Sequence, residues 1–293
     1  MLRRCLFLLP AAAAALLAGC PGDNGLRPLN LGSTAIVVGD FDTVEQLIQD
    51  VANETTVEAD IALFDGYISG PAYESDVNVP AGALEAQVED LVRSDTVSGL
   101  QQYRTVFFTD GMRGCNRWEY NGVAEDDHLV QDQTVVDNVE FSVRNGLRLY
   151  FSDWTYDLME RAWPDLVDWI GDDEEIDDAQ NGLQQEVSAT IVDDGLAEAM
   201  GVTVGSQLDI IFNFGDWAVI DSVDESQVDV LVTGDVVYDD PVTGEQRMKE
   251  DAPLLVSANV GSGVVLFTTF HNEAQISDET RDVLAYGLGQ LSR

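Results

Sequence analysis

Asn145-Gly-Leu-Arg-Leu-Tyr-Phe-Ser152-Asp-Trp-Thr155 is the stretch on which the fold turns. Asn145-Gly146 has the chemistry of a helix stop, because both residues tolerate the left-handed backbone that closes a last turn. Leu147–Ser152 is a short, nearly continuous apolar run, the pattern of a strand covered on both faces. Asp153 can cap a helix, and Thr155–Trp163 then carries helical spacing. Helix, strand and helix with hardly a residue between them point to a parallel sheet wrapped by helices.

Working outward, the unit repeats. Arg104–Thr109 (RTVFFT) reads as a strand ending at Asp110-Gly111, and a polar loop to about His128 leads into a helix through Val135, Val139 and Val143. Ser33–Gly39 (STAIVVG) and Ile61–Phe64 are earlier strands, with a helix at Thr43–Val51 between them. Ser69–Pro80 reads as a loop and Ala83–Tyr103 as broadly helical. After Gly171 the pattern changes. Residues 172–182 read as an acidic loop. Glu186–Val192, Gln207–Phe212, Trp217–Ser222 and Val228–Val232 are β-rich, with one short helix at Leu196–Met200, and are expected as an antiparallel extension on the sheet edge. Asp239–Gly244 has hairpin-tip chemistry, Leu254–Asn259 and Val264–Thr269 pair around Gly261-Ser-Gly263, and a helix at Ser277–Leu291 closes the chain. The expectation is one α/β domain over residues 33–293, a flavodoxin-like parallel sheet with helices on both faces and a β-rich insertion at about 183–250.

The first 32 residues belong to another problem. Arg3 and Arg4 form a basic n-region, and Cys5–Leu17 an apolar stretch too short to span a bilayer. The stretch closes on Leu17-Ala-Gly-Cys20, which looks like a lipobox, where small residues fit a peptidase cleft and the cysteine sulfur takes a diacylglycerol. Residues 1–19 are therefore read as a lipoprotein signal peptide and 20–32 as a lipidated tether, with Pro21-Gly-Asp-Asn-Gly25 too polar and too rich in Pro and Gly to pack. This predicts a cell-envelope protein held to a membrane through Cys20. Pro21 in place of an aspartate-type retention signal favours the outer membrane or cell surface over the inner membrane.

Composition narrows the partners. Fifty-four acidic against fourteen basic residues give a formal net charge of −40, which excludes nucleic acid, since phosphate binding needs clustered Lys and Arg. The acid excess reads as a solvated, salt-adapted surface or as calcium binding. The densest run, Asp172-Asp-Glu-Glu175 with Asp177-Asp178, lacks the alternating ligands and turn glycine of a calcium loop. Once Cys5 is cleaved and Cys20 lipidated, Cys115 stands alone, so no disulfide staples the domain. Two histidines are too few for a histidine-rich metal site, and no cofactor is expected.

Chemistry concentrates after the strand Val264–Thr269, where open α/β sheets place their ligand crevice. Phe270-His271-Asn272-Glu273 is similar to the Phe-His-Pro-Glu stretch of class I glutamine amidotransferase-like domains, a family that includes trehalose-utilisation-type relatives without glutaminase activity. The order of elements matches over roughly 33–291. The resemblance implies His271 as general base and Glu273 as the acid that orients it. The family's nucleophilic cysteine, set between glycines at a strand-to-helix elbow, has no counterpart in Leu149–Thr155. Without a thiolate the covalent glutaminase route is closed. Ser152 could replace the thiol, and Asp153 could bind a cation or a substrate hydroxyl; equally, Ser152, Asp153 and Trp154 could only cap the next helix. Cys115 lies nearer the region that the family uses for its oxyanion hole.

A second resemblance is to von Willebrand A domains, through Val106-Phe-Phe-Thr-Asp110-Gly111. It implies an altered cation site on Asp40, Asp42 and Asp110. Trp118 and Tyr120, flanked by Arg113 and Arg117, could face a glycan or an anionic ligand. Three readings follow. The first is a non-catalytic binding or interaction module for an unknown small molecule, glycan or protein, using Asp110, Arg113, Cys115, Asp153 and Trp154. The second is a serine-dependent hydrolase on Ser152, His271 and Glu273. The third is a metal-dependent adhesion module.

Overall fold

The computed structural model describes residues 29–54, 56–66, 84–93, 99–112, 115, 128–171, 178–270 and 278–292, and every structural statement below concerns these. The amino-terminal half runs β1 (Leu29–Val38), α1 (Val44–Glu54), β2 (Val57–Asp65), β3 (Leu84–Gln87), α2 (Val88–Val92), β4 (Thr105–Phe108), α3 (Gln133–Arg144), β5 (Arg148–Ser152) and α4 (Tyr156–Ala162). Next come β6 (Val167–Trp169), β7 (Gln180–Gly182), β8 (Gln185–Ile191), α5 (Asp194–Ala199), β9 (Gln207–Phe212), β10 (Trp217–Ala218) and β11 (Ile220–Val223). The chain closes with β12 (Val228–Asp239), β13 (Gln246–Val260), β14 (Gly263–Thr268) and α6 (Asp278–Leu291).

The main sheet has the order β10-β7-β12-β13-β14-β5-β4-β1-β2-β3, with β8 and β9 attached through β12. The pairs β1–β2, β1–β4, β4–β5, β5–β14 and β2–β3 are all parallel. The strands β2-β1-β4-β5-β14 thus reproduce the 2-1-3-4-5 order of the flavodoxin-like sheet. From β13 outward the pairing is antiparallel, which is the edge extension expected from the β-rich segments.

Alternation along each strand divides the core. In β4 and β5, Val106, Phe108, Leu149 and Phe151 pack on one face with residues of α2, α3 and α4. Phe107 and Tyr150 point the other way, into a cluster with α1, α5 and α6. Full burial of side chains of this size is worth about 1.5–3 kcal/mol each, so the two faces, rather than helix propensity, hold the elements in place.

Three local expectations change. β1 begins at Leu29, inside the stretch read as tether, because Leu29 and Leu31 are buried with Asn30 exposed between them. A register shift at Gly32, whose φ is +67°, interrupts the pattern there and hides it from a reading that stops at glycine. The broad helix at 83–103 is an edge strand, the five-residue α2 and a 3₁₀ turn at Gly99–Gln102; Val88, Leu91 and Val92 are buried as their spacing suggested. Trp217–Ser222 divides into β10, which pairs with β7, and β11, which joins β6 in a separate two-stranded sheet.

Candidate functional site

β1 and β4 lie side by side where the strand order reverses, the place at which an open α/β sheet leaves a crevice outside its carboxyl ends. Gly39 makes the close approach there, since a Cβ on it would stand 2.1 Å from the carbonyl oxygen of Asp110. Gly111, at φ +74°, turns the opposing loop. Two backbone bonds then tie the loops together: Asp40 N–H to the Gly111 carbonyl and Phe41 N–H to that of Asp110, both 3.3 Å.

Ser152, at the end of β5, locks this junction from below. Its hydroxyl donates to Asp42 Oδ2 at 2.6 Å and accepts the Asp110 N–H at 2.9 Å, so one buried oxygen joins the ends of β1, β4 and β5. Beneath it Tyr150 Oη meets Thr268 Oγ1 at 3.0 Å. Burial, reinforced by the Asp42 charge, pushes the Tyr150 phenol well above its ordinary range.

The chain leaves β5 through a sharp turn at Asp153, whose φ of +40° places it in the left-handed region. The reciprocal exchange at the helix start is between Ser152 and Thr155: Thr155 Oγ1 accepts the Ser152 N–H at 3.0 Å and donates to the Ser152 carbonyl at 2.9 Å. Asp153 does not supply this cap, as its spacing suggested it could. Its Oδ1 instead accepts the Ala218 N–H at 2.9 Å, reaching into the β-rich excursion. Trp154 reaches the same loop, its indole N–H donating to the Asp216 carbonyl at 2.6 Å. The Trp154 ring meets Phe41 edge-on at a centroid distance of 5.4 Å, and Phe41 lies 6.2 Å from Phe214, which is 57% exposed.

The charge arrangement is unusual for a hydrolytic elbow. Such sites collect a developing oxyanion on the N–H of the residue after the elbow and on a second N–H from a neighbouring loop. Here those donors are Trp154 and Gly111. Both point at Asp110 Oδ1, at 3.4 and 2.7 Å. Both N–H groups are thus already taken by a carboxylate of the chain itself.

Of the residues singled out in the sequence, Asp110, Ser152, Asp153 and Trp154 are brought together. Ser152, read as a replacement nucleophile, is fully buried, and the left-handed position falls on Asp153. Cys115, read as a lining residue, is buried in the apolar cluster on the α2–α3–α4 face. Arg113, Arg117, Trp118, Tyr120, His271, Glu273 and Cys20 lie outside the described residues, as does most of the acidic run at 172–178. Among the described residues no group of three or more His, Cys, Asp and Glu side chains is placed to hold a metal ion; of the carboxylates that the von Willebrand resemblance names, Asp42 accepts the Ser152 hydroxyl and Asp110 the N–H groups of Gly111 and Trp154. The part of the site that sequence reasoning missed is the loop between β9 and β10, with Phe214 and Asp216, together with Ala218 of β10. Its turn residues, Phe214-Gly-Asp-Trp217, marked it as a loop, but nothing in the sequence links it to residue 153.

No family model matches the chain, and no curated protein matches it. Among solved structures it is similar to a putative GMP synthase subunit from Thermoplasma acidophilum, with 10% identity and a TM-score of 0.44, covering 88% of this chain and 93% of that one. It is also similar to PurLQS from Thermotoga maritima, at 8% identity, a TM-score of 0.46, and 89% and 99% coverage. A cytoplasmic protein of Salmonella typhimurium LT2 aligns at 12% identity and a TM-score of 0.47, over 89% and 100%. The α/β assignment rests on the strand order described above rather than on these likenesses.

Proposed function

We propose that this chain is a lipoprotein anchored to an envelope membrane through Cys20, with an amidotransferase-like domain that binds a ligand at the switch-point crevice and does not cut it. The observation that carries the non-catalytic reading is Asp110 Oδ1 on the N–H groups of Gly111 and Trp154. A negative charge held there opposes a second one developing beside it, which removes the largest contribution such sites make to acyl transfer. Asp153 at the elbow and the fully buried Ser152 hydroxyl support the same reading. The serine-hydrolase reading would need Ser152 to release Asp42 and turn outward, and no observation favours it.

The ligand that suits the crevice is apolar on one face and not anionic. Phe41, Trp154 and Phe214 offer ring faces and edges suited to the apolar face of a sugar, while the buried carboxylates of Asp110 and Asp153 behind them disfavour a negative charge. The test has two arms on the full chain. Incubation with glutamine, simple esters and a serine-directed fluorophosphonate should give neither ammonia, nor ester cleavage, nor labelling; labelling at Ser152 would overturn the reading. A panel of neutral and acidic oligosaccharides, followed by thermal shift, should stabilise the wild type with neutral members only, and Phe214→Ala should weaken that response. The anchor is tested separately, by the mass of the lipidated Cys20 peptide.

A further inference from the structure

The opposite end of the parallel sheet carries an arrangement that the crevice does not explain. Arg104 precedes β4 and Arg148 opens β5, and the two are joined by a backbone bond from Arg148 N–H to the Arg104 carbonyl at 3.0 Å. Two like charges thus stand on adjacent strand starts in a chain with fifty-four acidic residues. Neither has an acidic partner among the described residues. Arg104 reaches only neutral oxygens, Asn30 Oδ1 at 3.5 Å and the Ser292 carbonyl at 3.4 Å. One guanidinium nitrogen of Arg148, Nη1, is buried with no acceptor. Burial and the neighbouring Arg104 charge lower the Arg148 pKa, as expected for two cations with no anion between them. The exposed Arg104 guanidinium, held only by neutral oxygens, and the partly exposed Arg148 beside it offer forked positive donors that suit the oxygens of a phosphate.

Position says which phosphate. Arg104 packs on the first residues of β1, its backbone N–H bonded to the Ser33 carbonyl at 2.8 Å and its Cδ against Gly32. Cys20 lies nine residues before Leu29, a span of at most about 30 Å even when fully extended. The tether therefore enters the domain at the edge that carries the arginines, and the crevice lies at the far end of the same strands. A chain of net charge −40 is repelled by an anionic bilayer, so the face turned towards it is the one where positive charge is unpaired.

We infer that the Arg104–Arg148 edge is a membrane-apposed surface that holds lipid phosphates, with the crevice directed away from the bilayer. This rests on the lipidated Cys20 of the proposed function. Tethering supplies the effective concentration that two arginines alone would lack.

The test uses the full mature chain, made with its signal intact and reconstituted into vesicles of mixed phosphatidylethanolamine and phosphatidylglycerol. A fluorophore is placed at Ser262→Cys, in the exposed turn beside the arginines, or at Gln184→Cys, an exposed position towards the crevice end; the buried Cys115 stays unlabelled. A headgroup-attached quencher should act preferentially at position 262. Replacing both arginines by Gln should erase that preference with the protein still bound, each arginine biasing the orientation by about fivefold. The double Arg→Lys variant, which keeps the charge, should retain most of it, and this separates a charge effect from a folding defect. Lipid on Cys20 with equal quenching at both positions, or a preference that survives the Gln variant, overturns this inference and leaves the anchor standing. Absence of lipid on Cys20 overturns both. A preference abolished by millimolar inorganic phosphate would assign the pair to free phosphate and overturn the lipid assignment.

Discussion

Asp153 and Asp240 are the same side chain placed in two loops, and they hold those loops by different means. Asp240 sits at the tip of the β12–β13 hairpin. Its Oδ1 accepts the N–H groups of Val242 and Thr243, at 3.0 and 2.7 Å, and its Oδ2 pairs with Arg247 at 2.8 Å. Every one of these partners lies within seven residues of Asp240, in the same hairpin. Asp153 reaches Ala218, 65 residues away, while Asp110 reaches Trp154 across 44 residues and Ser152 reaches Asp42 across 110. The hairpin loop is closed by its own chemistry. The crevice exists only because four distant segments have already assembled, so damage there should be felt by the whole sheet.

The largest effect should come from Ser152→Ala. The change removes one atom and hardly alters volume, yet leaves a buried Asp42 oxygen short of a donor and the Asp110 N–H without an acceptor. Stranding buried groups of this kind costs about 1–3 kcal/mol each, more for a charged one, so urea unfolding should show a loss of about 3 kcal/mol with an unchanged slope. A loss below about 0.5 kcal/mol would mean that water substitutes for the hydroxyl and that the crevice is no more coupled than a surface loop.

Asp153→Ala comes next, at about 2 kcal/mol, since it strands the Ala218 N–H and puts alanine, which tolerates the left-handed region less well than aspartate, at positive φ. Asp153→Gly divides the two contributions. Glycine accepts the left-handed backbone without strain, so it should be less destabilising than alanine at this position, against the usual order inside regular elements. If alanine is the better tolerated, the strain at φ +40° is not what the turn resists, and the carboxylate bond carries all of the effect.

The same division explains what was legible beforehand. The parallel sheet showed in the continuous runs of β1, β4 and β5, because a strand buried on both faces is built mostly from apolar residues. Asp110, Asp153 and Trp154 could be picked out because they follow such strands, where an α/β fold leaves its crevice. The hairpin tip was equally readable, since Asp240 and Thr243 act on neighbours. What did not show was pairing at a distance. Ser152 could be read as a nucleophile because its partner Asp42 lies 110 residues away, and no local pattern marks such a bond. The role of Asp216 and Ala218 was hidden for the same reason. β1 was cut short by Gly32, whose local shift mimics a strand start.

Tyr150 offers a smaller, pH-driven test of the crevice side. Its folded-state pKa is raised, chiefly by burial and then by Asp42, so the folded protein keeps a proton that the unfolded chain releases near pH 10. Its contribution is therefore complete below that pH and is lost as pH rises beyond it. Denaturation midpoints should fall above about pH 10, and the fall should be shallower in Tyr150→Phe. Equal slopes in the two proteins would show that other tyrosines dominate alkaline unfolding.

The smallest effect is expected at the tip. Asp240 is held below the usual carboxylate range, first by the Thr243 N–H and then by the hydroxyl of the same residue, the Val242 N–H and Arg247. A depressed folded value means that its contribution is present above the unfolded pKa, near 3.9, and disappears as pH falls through the lower folded one. Because its bonds close within the hairpin, that loss should loosen the tip alone. Asp240→Ala should leave the cooperative unfolding midpoint where it is and speed amide exchange at Val242 and Thr243. Wild-type protein brought below about pH 4 should show the same local change. A midpoint shift matching that of Asp153→Ala would break the contrast, because it would make the hairpin tip part of the same cooperative unit as the crevice.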